Sequence, residues 1–205
     1  MKKLFLILLI LFSVSNAFSQ DRKLNFSIGF GMNFPNSPGD FKNYWNTGFN
    51  ISGDIYYNLN DNFQSGLQMG LYKFGIDRDR IINDARSILY VKGGEKRIIT
   101  LMPGNRFTFK IKQISPYLEL GIGLFHLHIK EWQWYGPPED KIYDINEYRY
   151  NEKRLNETRF GFRLGSGIEI KKYSILSVQL DINYLAGFTD DRTSQFLTSG
   201  LRVKF

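Results

Sequence analysis

The chain lacks cysteine entirely, has only two histidines, and shows no long apolar run beyond its first residues. Without cysteine the protein forms no disulfide, offers no thiolate to a metal ion, and has no thiol to carry a lipid anchor. None of its apolar runs reaches the roughly 20 residues that a membrane-spanning helix needs. We therefore expect any stable membrane attachment to come from the fold itself.

The first residues have the composition of an export signal. Two lysines precede an apolar run at residues 4–12, and small residues then lead to a small-x-small cleavage pattern that ends at Ser19. The apolar run is too short to span a membrane as a helix. The pattern predicts a signal peptide at residues 1–19 and a single mature domain at residues 20–205.

The overall charge and hydropathy narrow the class of protein further. The formal net charge of +7 is spread along the chain rather than gathered into a basic stripe, so we expect no nucleic-acid partner. The mean hydropathy is negative although 16% of the residues are aromatic. This combination does not fit a helical membrane protein, but it fits strands of which only alternate residues face lipid.

The C-terminal stretch alternates in polarity with a period of two. One face carries Leu197, Ser199, Leu201, Val203 and Phe205. The other face carries Thr198, Gly200, Arg202 and Lys204. A strand with one apolar face and one charged face suits a position between lipid and a polar interior.

Seven further stretches show the same alternation, and glycine recurs on their polar faces. They lie at residues 24–34, 47–59, 63–76, 97–109, 115–129, 158–170 and 173–184. Pro103 and Gly104 interrupt the fourth of these stretches, where we expect a bulge or a bend. Together with the C-terminal stretch, the pattern gives eight candidate strands.

The links between these strands alternate in length. Short turns follow the second, fourth and sixth strands, with turns expected near Lys112 and at Lys171–Lys172. The longer, polar links lie at residues 35–46, 77–96, 130–157 and 185–193. Because short turns at one end and long loops at the other are typical of membrane barrels, the sequence predicts an all-β, eight-stranded antiparallel up-and-down transmembrane β-barrel. A soluble sandwich or lipocalin-like barrel is the alternative, but it would turn its apolar face inward.

Four acidic and four basic side chains fall on the polar faces and predict a charge network in the interior. They are Asp54, Arg106, Glu119, Arg163, Glu169, Asp181, Arg202 and Lys204. The expected turns place Arg106 opposite Glu119, and Arg163 close to Asp181. Since an eight-stranded barrel is only just wide enough for its own side chains, we expect this network to fill the interior. A narrow, gated solute path along the same charges is the functional alternative.

The two histidines are the main candidates for chemistry. His126 and His128 share one strand face, and a zinc site would need a third ligand, for which only Glu131 is near. We interpret both rings as part of an aromatic girdle at the membrane interface. A lipid-modifying enzyme would need a nucleophile and an acid beside them, and their sequence neighbours supply no serine. We therefore predict no catalytic residue, no cofactor and no metal.

The link at residues 130–157 is the most distinctive segment, since it mixes aromatic residues with dense charge of both signs. Its aromatic residues are candidates for recognition of an extracellular or envelope protein partner: Trp132, Trp134, Tyr135, Tyr143, Tyr148 and Tyr150. The alternative is structural, with the fifth and sixth strands extending beyond the membrane as a hairpin.

The segment PYLELGIGL at residues 116–124, the eight amphipathic strands and the terminal phenylalanine resemble the small outer-membrane β-barrel proteins described as PorT-like. This resemblance covers the whole mature chain. It implies residence in the lipid bilayer of the cell outer membrane and insertion by the barrel assembly machinery, which reads the last strand. The matching assembly signal is Leu201, Val203 and Phe205. The resemblance supplies no catalytic residues and implies a structural or interaction role, with surface assembly or secretion as one variant.

Overall fold

The computed structural model describes residues 24–84, 90–111, 113–130, 132–135, 149–152, 155–171, 176–188 and 193–205. These residues form eleven strands and two short helices. The strands are β1 (Leu24–Ser37), β2 (Gly48–Asn58), β3 (Phe63–Gly75), β4 (Tyr90–Gly93), β5 (Glu95–Thr108), β6 (Ile114–Ile129), β7 (Trp132–Tyr135), β8 (Arg149–Glu152), β9 (Leu155–Lys171), β10 (Ser177–Gly187) and β11 (Ser194–Lys204). The helices are α1 (Gly39–Tyr44) and α2 (Arg78–Asp84). Neither of the two helices in the described ranges is long and apolar enough to cross a membrane.

Eight of the strands close into an antiparallel barrel in the order β1-β11-β10-β9-β6-β5-β3-β2. Closure joins the first strand to the last, and the backbone amide of Phe26 donates to the carbonyl of Phe205 at 3.0 Å. A closed sheet leaves no strand edge with unpaired backbone groups, which is the condition for a sheet to lie in lipid. The predicted fold class is therefore confirmed.

The two faces of the strands differ as the alternation predicts. Apolar side chains on the outer face are exposed, for example Phe30 at 61% and Ile182 at 60%. Polar side chains of the inner face are buried, for example Arg202 at 3%. We call the end of the barrel at which β1 ends and β2 begins the long-loop end, and the opposite end the short-turn end.

The bulge expected at Pro103 and Gly104 is wrong. β5 keeps one register against β3 along its whole length, and its pairing with β6 resumes at Gly104 in the register that it has at Leu101. The proline is accommodated because Gly123 lies beside it, where an added Cβ would be 3.1 Å from the proline Cδ. Because Gly123 has no side chain, the space beside it accommodates the proline ring without a bulge.

The expected turn at Lys171–Lys172 is also wrong. Lys171 still lies in β9 and pairs with Ser177, so the connection to β10 lies at residues 172–176 and the register differs from the predicted one. β10 also runs further than expected, because Leu185 and Ala186 continue the strand and are buried. Tyr173, the expected start of this strand, lies outside the described residues.

A second, smaller sheet of order β4-β7-β8 lies at the long-loop end. β7 and β8 form the hairpin extension that was one interpretation of residues 130–157, with Trp134 paired to Tyr150 through the backbone. β4 adds a third strand, which the sequence pattern does not predict. Val91 of β4 is fully buried and packs with Ile76 and Ile81, so the small sheet has an apolar cluster of its own.

The fold predicts that substitution by alanine changes the free energy of unfolding at one strand glycine and not at another. Gly66 faces inward opposite Tyr56, and an added Cβ would lie 2.8 Å from the Tyr56 Cα atom. Since this neighbour is backbone and cannot move aside, we expect Gly66→Ala to lower the free energy of unfolding by about 1–3 kcal/mol. Urea unfolding of the detergent-solubilised barrel, followed by the shift of the unheated protein in SDS gels, measures the change.

Gly53 provides the matched control, because it lies on β2 and an added Cβ there would meet only the Ser27 carbonyl oxygen at 3.8 Å. We expect Gly53→Ala to unfold at the midpoint of the native protein. Equal midpoints for the Gly53 and Gly66 variants would contradict the tight packing assigned to the interior.

Candidate functional site

The middle of the barrel interior holds three acidic and three basic side chains, each contributed by a different strand. We call this set the central charge cluster: Asp54, Arg106, Glu119, Arg163, Asp181 and Arg202. All six are buried, and each lies on the inner face because of its place in the two-residue period of its strand. The closed sheet therefore brings together charges that lie far apart in the sequence.

Glu119 lies at the centre of this cluster. Its Oε1 atom accepts a hydrogen bond from Arg106 Nε at 2.6 Å, and its Oε2 atom accepts one from Arg163 Nη2 at 2.7 Å. Arg202 Nη1 lies 3.7 Å from Oε1. Arg106 and Glu119 are also direct cross-strand partners, which confirms the register expected for the hairpin of β5 and β6.

The two aspartates neutralise the remaining positive charge. Arg202 is ion-paired with Asp54, and its Nε atom lies 2.7 Å from Asp181 Oδ2. Asp54 also accepts a hydrogen bond from the Ser27 hydroxyl at 2.9 Å. Charges of opposite sign in equal number allow the cluster to be buried without a net charge in a poorly hydrated space.

The expected proximity of Arg163 and Asp181 is wrong as a direct pair. In the observed register Arg163 faces Leu185, whereas Asp181 faces Gly167. Asn183 lies between them: its Oδ1 atom accepts from Arg163 Nε at 3.0 Å, and its Nδ2 atom donates to Asp181 Oδ1 at 2.7 Å. The longer turn between β9 and β10 accounts for the difference, since it shifts every pair along these strands.

Two tyrosines enclose Arg106, which the charge pattern alone does not predict. The guanidinium carbon lies 4.4 Å from the ring centroid of Tyr56 and 4.5 Å from that of Tyr117. Both rings occupy inward positions of their strands, and that is the signal in the sequence that could identify them. The rings supply cation–π contacts and hold the guanidinium in one orientation.

A second charge pair lies nearer the short-turn end. Lys204 Nζ is 3.0 Å from Glu169 Oε2, and the hydroxyl of Ser177 donates to Glu169 Oε1 at 3.0 Å. Gln179 donates to the same carboxylate at 3.2 Å. The eight charged residues expected in the interior are thus all on its inner face, arranged as one cluster and one separate pair.

The interior toward the long-loop end is apolar, and the expectation of a wholly polar interior is wrong there. The side chains that fill it form what we call the apolar plug: Phe41, Tyr72, Phe74, Ile98, Met102, Phe125, Leu127, Leu185 and Phe196. Phe41 of α1 reaches into this plug, with its ring centroid 5.0 Å from that of Phe74. Toward the long-loop end several inward positions are apolar, among them Phe74, Ile98 and Phe196, and this is a signal in the sequence that could identify the plug.

One buried lysine belongs to the plug region rather than to the charge clusters. Lys96 Nζ lies 3.5 Å from the ring centroid of Phe41 and 3.2 Å from the Ser194 hydroxyl. The cation–π contact with Phe41 connects α1 to the barrel wall. The sequence pattern did not single out this residue.

Little free volume remains inside the barrel. A cavity bordered by Asn183, Thr198 and Arg202 has a volume of about 10 Å³. This is room for about one water molecule. The buried side chains of the central charge cluster and of the apolar plug thus fill most of the described interior.

The histidines lie on the outer face at the long-loop end. His126 Nδ1 is 2.8 Å from the Thr158 hydroxyl oxygen, and His128 is the cross-strand partner of Arg97. Glu131, the expected third ligand, lies outside the described residues. Within those residues, no group of three His, Cys, Asp or Glu side chains is placed to hold a metal ion.

The remaining candidates divide between the two ends of the barrel. The backbones of Trp132, Trp134 and Tyr135 form β7, and that of Tyr150 belongs to β8, whereas Tyr143 and Tyr148 lie outside the described residues. The three assembly-signal positions lie at the C-terminal end of the chain. Leu201 pairs with Phe30, Val203 pairs with Ile28, and Phe205 is hydrogen-bonded to Phe26.

Comparison with known proteins agrees with this architecture. Residues 4–205 match the family model described as "Outer membrane protein beta-barrel domain". Among solved structures, Neisserial surface protein A (NspA) is similar at 12% identity and a TM-score of 0.54, covering 89% of this chain and 97% of that one. A major outer membrane protein from Thermus thermophilus is similar at 12% identity and a TM-score of 0.51, covering 89% and 99%. No curated protein matches the sequence significantly.

The central charge cluster predicts a strong dependence of stability on Glu119. We expect Glu119→Gln to lower the free energy of unfolding by about 3–5 kcal/mol, because three buried guanidinium groups would then share two carboxylates. Urea unfolding in detergent micelles, followed by tryptophan fluorescence, measures this loss.

The matched control is Asp61→Asn, which removes the exposed partner of Lys110 at the short-turn end. Exposed ion pairs contribute little, so its unfolding midpoint should equal that of the native protein. If the Glu119 variant were as stable as this control, the central role of Glu119 would be refuted.

Proposed function

The chain belongs to the outer membrane protein β-barrel domain family and is an integral protein of the cell outer membrane, and from this premise we propose that it is a non-enzymatic structural or interaction protein. Its barrel is embedded in the lipid bilayer, and the long-loop end of such a barrel faces the cell exterior. The observation that supports the proposal is the filled interior, whose outer half is the apolar plug. An interior closed in this way leaves the external loops as the surface for partners.

A small-solute channel is the second candidate, because the half of the interior toward the short-turn end is polar. Several buried polar atoms there have no hydrogen-bond partner among the residues that the structure describes, among them Gln64 Oε1, Gln179 Oε1 and Ser115 Oγ. Such atoms are normally satisfied by water, so water enters from the short-turn end. The apolar plug toward the long-loop end opposes conduction, because an ion crossing its rings and aliphatic side chains would lose most of its hydration.

A lipid-modifying enzyme is the least supported candidate. A hydrolase of this kind needs a nucleophile, a base and a group that orients the base. His126 contacts Thr158 through Nδ1, the nitrogen that usually faces the orienting acid in a catalytic triad. This geometry suits a hydrogen bond that fixes the ring at the membrane interface.

The partner side of the proposal rests on the small sheet of β4, β7 and β8. This sheet extends the barrel beyond the membrane and is supported by the buried side chain of Val91. We propose that residues 130–157 contact an extracellular or envelope protein partner, with the aromatic residues named above as the contact candidates. A role in surface assembly or secretion, as the PorT-like resemblance implies, is one form of this function.

Export and assembly complete the proposal. We propose that residues 1–19 are removed as a signal peptide and that the barrel assembly machinery reads the outward residues Leu201, Val203 and Phe205. The supporting observation is that β11 is the strand that closes the barrel against β1.

The first functional prediction concerns conductance. In planar lipid bilayers the purified protein should give no steady channel openings, because the plug excludes hydrated ions. The double variant Phe41→Ala/Phe196→Ala, which removes two rings of the plug, should also stay closed, because the buried central charge cluster still fills the middle of the barrel. Steady openings of the native protein would overturn the non-channel assignment.

The second functional prediction concerns the partner surface. Replacement of residues 132–152 by a short Gly-Ser linker should abolish cross-linking of the barrel to a partner on intact cells, because it removes β7, β8 and all six candidate aromatic residues. The same replacement of residues 189–192, another external link, is the matched control and should leave cross-linking unchanged. Cross-linking that survives the first replacement would contradict the proposal.

A further inference from the structure

Three cationic side chains surround one carboxylate on the outer face of the barrel at the long-loop end. Lys73 Nζ lies 2.9 Å from Glu95 Oε2, Lys130 Nζ lies 3.3 Å from Glu95 Oε1, and Arg97 is ion-paired with the same carboxylate. We call these four residues the rim basic cluster. They come from β3, β5 and the residue after β6, so the barrel wall holds them in fixed register.

Among the described residues, the cluster carries an excess of positive charge, since Glu95 is the acid with which its three cations are paired. Lys73 and Arg97 are direct cross-strand partners, and like charges in that position destabilise a sheet. Glu95 offsets one charge of the three. The cations remain accessible, with side-chain exposures of 39% for Lys73, 42% for Arg97 and 49% for Lys130.

The height of the cluster coincides with the outer boundary of the lipid. Arg97 and Phe107 lie on the same outward face of β5, and Ile99 and Leu101 between them are exposed. At about 3.4 Å per residue and a tilt of about 40°, Arg97 and Phe107 are roughly 25 Å apart along the barrel axis, the height of a barrel's apolar band. With the apolar band taken to begin at Phe107 or at the exposed Phe109 beyond it, the cluster lies at or just outside the level of the lipid headgroups of the outward-facing leaflet.

We propose that the rim basic cluster binds a phosphate group of a phosphorylated lipid in the outward-facing leaflet of the outer membrane. Lys73 and Lys130 supply ammonium donors and Arg97 supplies a guanidinium, the groups that bind phosphate through charge-assisted hydrogen bonds. The lipid phosphate adds the negative charge that Glu95 alone does not provide. The apolar strip below, with Ile99 and Leu101, contacts the acyl chains of the same lipid.

This assignment goes beyond the proposed function and does not depend on it. It requires only that the barrel lie in the outer membrane, and it makes no use of residues 130–157 as a partner surface. A failure of the cross-linking experiment would therefore leave it intact.

Direct lipid binding tests the proposal. The full-length protein in an uncharged maltoside detergent is titrated with fluorescent diphosphoryl lipid A, with the same lipid dephosphorylated, and with inorganic phosphate as a competitor. We expect tight binding of the phosphorylated lipid, at least about tenfold weaker binding of the dephosphorylated one, and no competition by inorganic phosphate at equal concentration. Equal binding of the two lipids, or full competition by inorganic phosphate, would refute a lipid-phosphate site.

Charge variants locate the site on the barrel. Each cation near an anionic headgroup contributes about a fivefold change in affinity, so Lys73→Gln/Arg97→Gln should weaken binding by about 25-fold. Lys110→Gln is the matched control, because Lys110 is an exposed lysine at the short-turn end, 3.2 Å from Asp61. It should bind like the native protein, whereas a rim variant that weakens binding no more than this control would overturn the assignment.

Two further variants separate binding from folding. Lys73→Arg/Arg97→Lys keeps both charges and should bind like the native protein. Glu95→Gln removes the competing carboxylate and should bind about fivefold more tightly. The heat-dependent gel shift reports whether each variant is folded, and a loss of binding in the charge-conserving variant would contradict recognition by charge.

Discussion

The buried carboxylate of Glu119 and the three guanidinium groups around it connect the inner faces of the barrel strands, and with the two aspartates they bring six of the eight strands to one point. Each member of the central charge cluster comes from a different strand, and a slip of one residue would turn its side chain from the interior into lipid. In lipid that charge would have neither water nor a partner, at a cost of several kcal/mol. The cluster therefore specifies which strand positions face each other, as well as neutralising the interior.

The interior has two halves with different consequences. Toward the short-turn end it is polar, with the Lys204–Glu169 pair and buried amide and hydroxyl groups. Toward the long-loop end it is filled by the apolar plug, into which α1 inserts Phe41. With an interior filled in this way, we propose that the protein acts through its outer surface. The rim basic cluster is the proposed site for lipid, and the small external sheet is the proposed site for a protein partner.

Several features of the fold could be predicted from the sequence because they depend on local pattern. The two-residue period identified all eight barrel strands and the face of each residue, and the short turn after β5 correctly placed Arg106 opposite Glu119. Where the turn was misjudged, after β9, the prediction for Arg163 and Asp181 failed with it. The bulge predicted at Pro103 was wrong for another reason. The proline ring is accommodated by the space beside Gly123 on the neighbouring strand β6, and the sequence around Pro103 does not specify which residue of another strand lies there.

The sequence by itself determined the class of fold, the lipid-facing and interior faces, and the charge balance inside, because alternation and composition are properties of single strands. Only the tertiary structure decided which charges meet, that Asn183 separates Arg163 from Asp181, that the outer half of the interior is apolar, and that Lys73, Arg97 and Lys130 converge on Glu95. The physical reason is that a period of two fixes the side of the sheet on which a residue lies, whereas closure and turn length fix its neighbours. Arg202 and Asp54, 148 residues apart, meet only because the last strand pairs with the first.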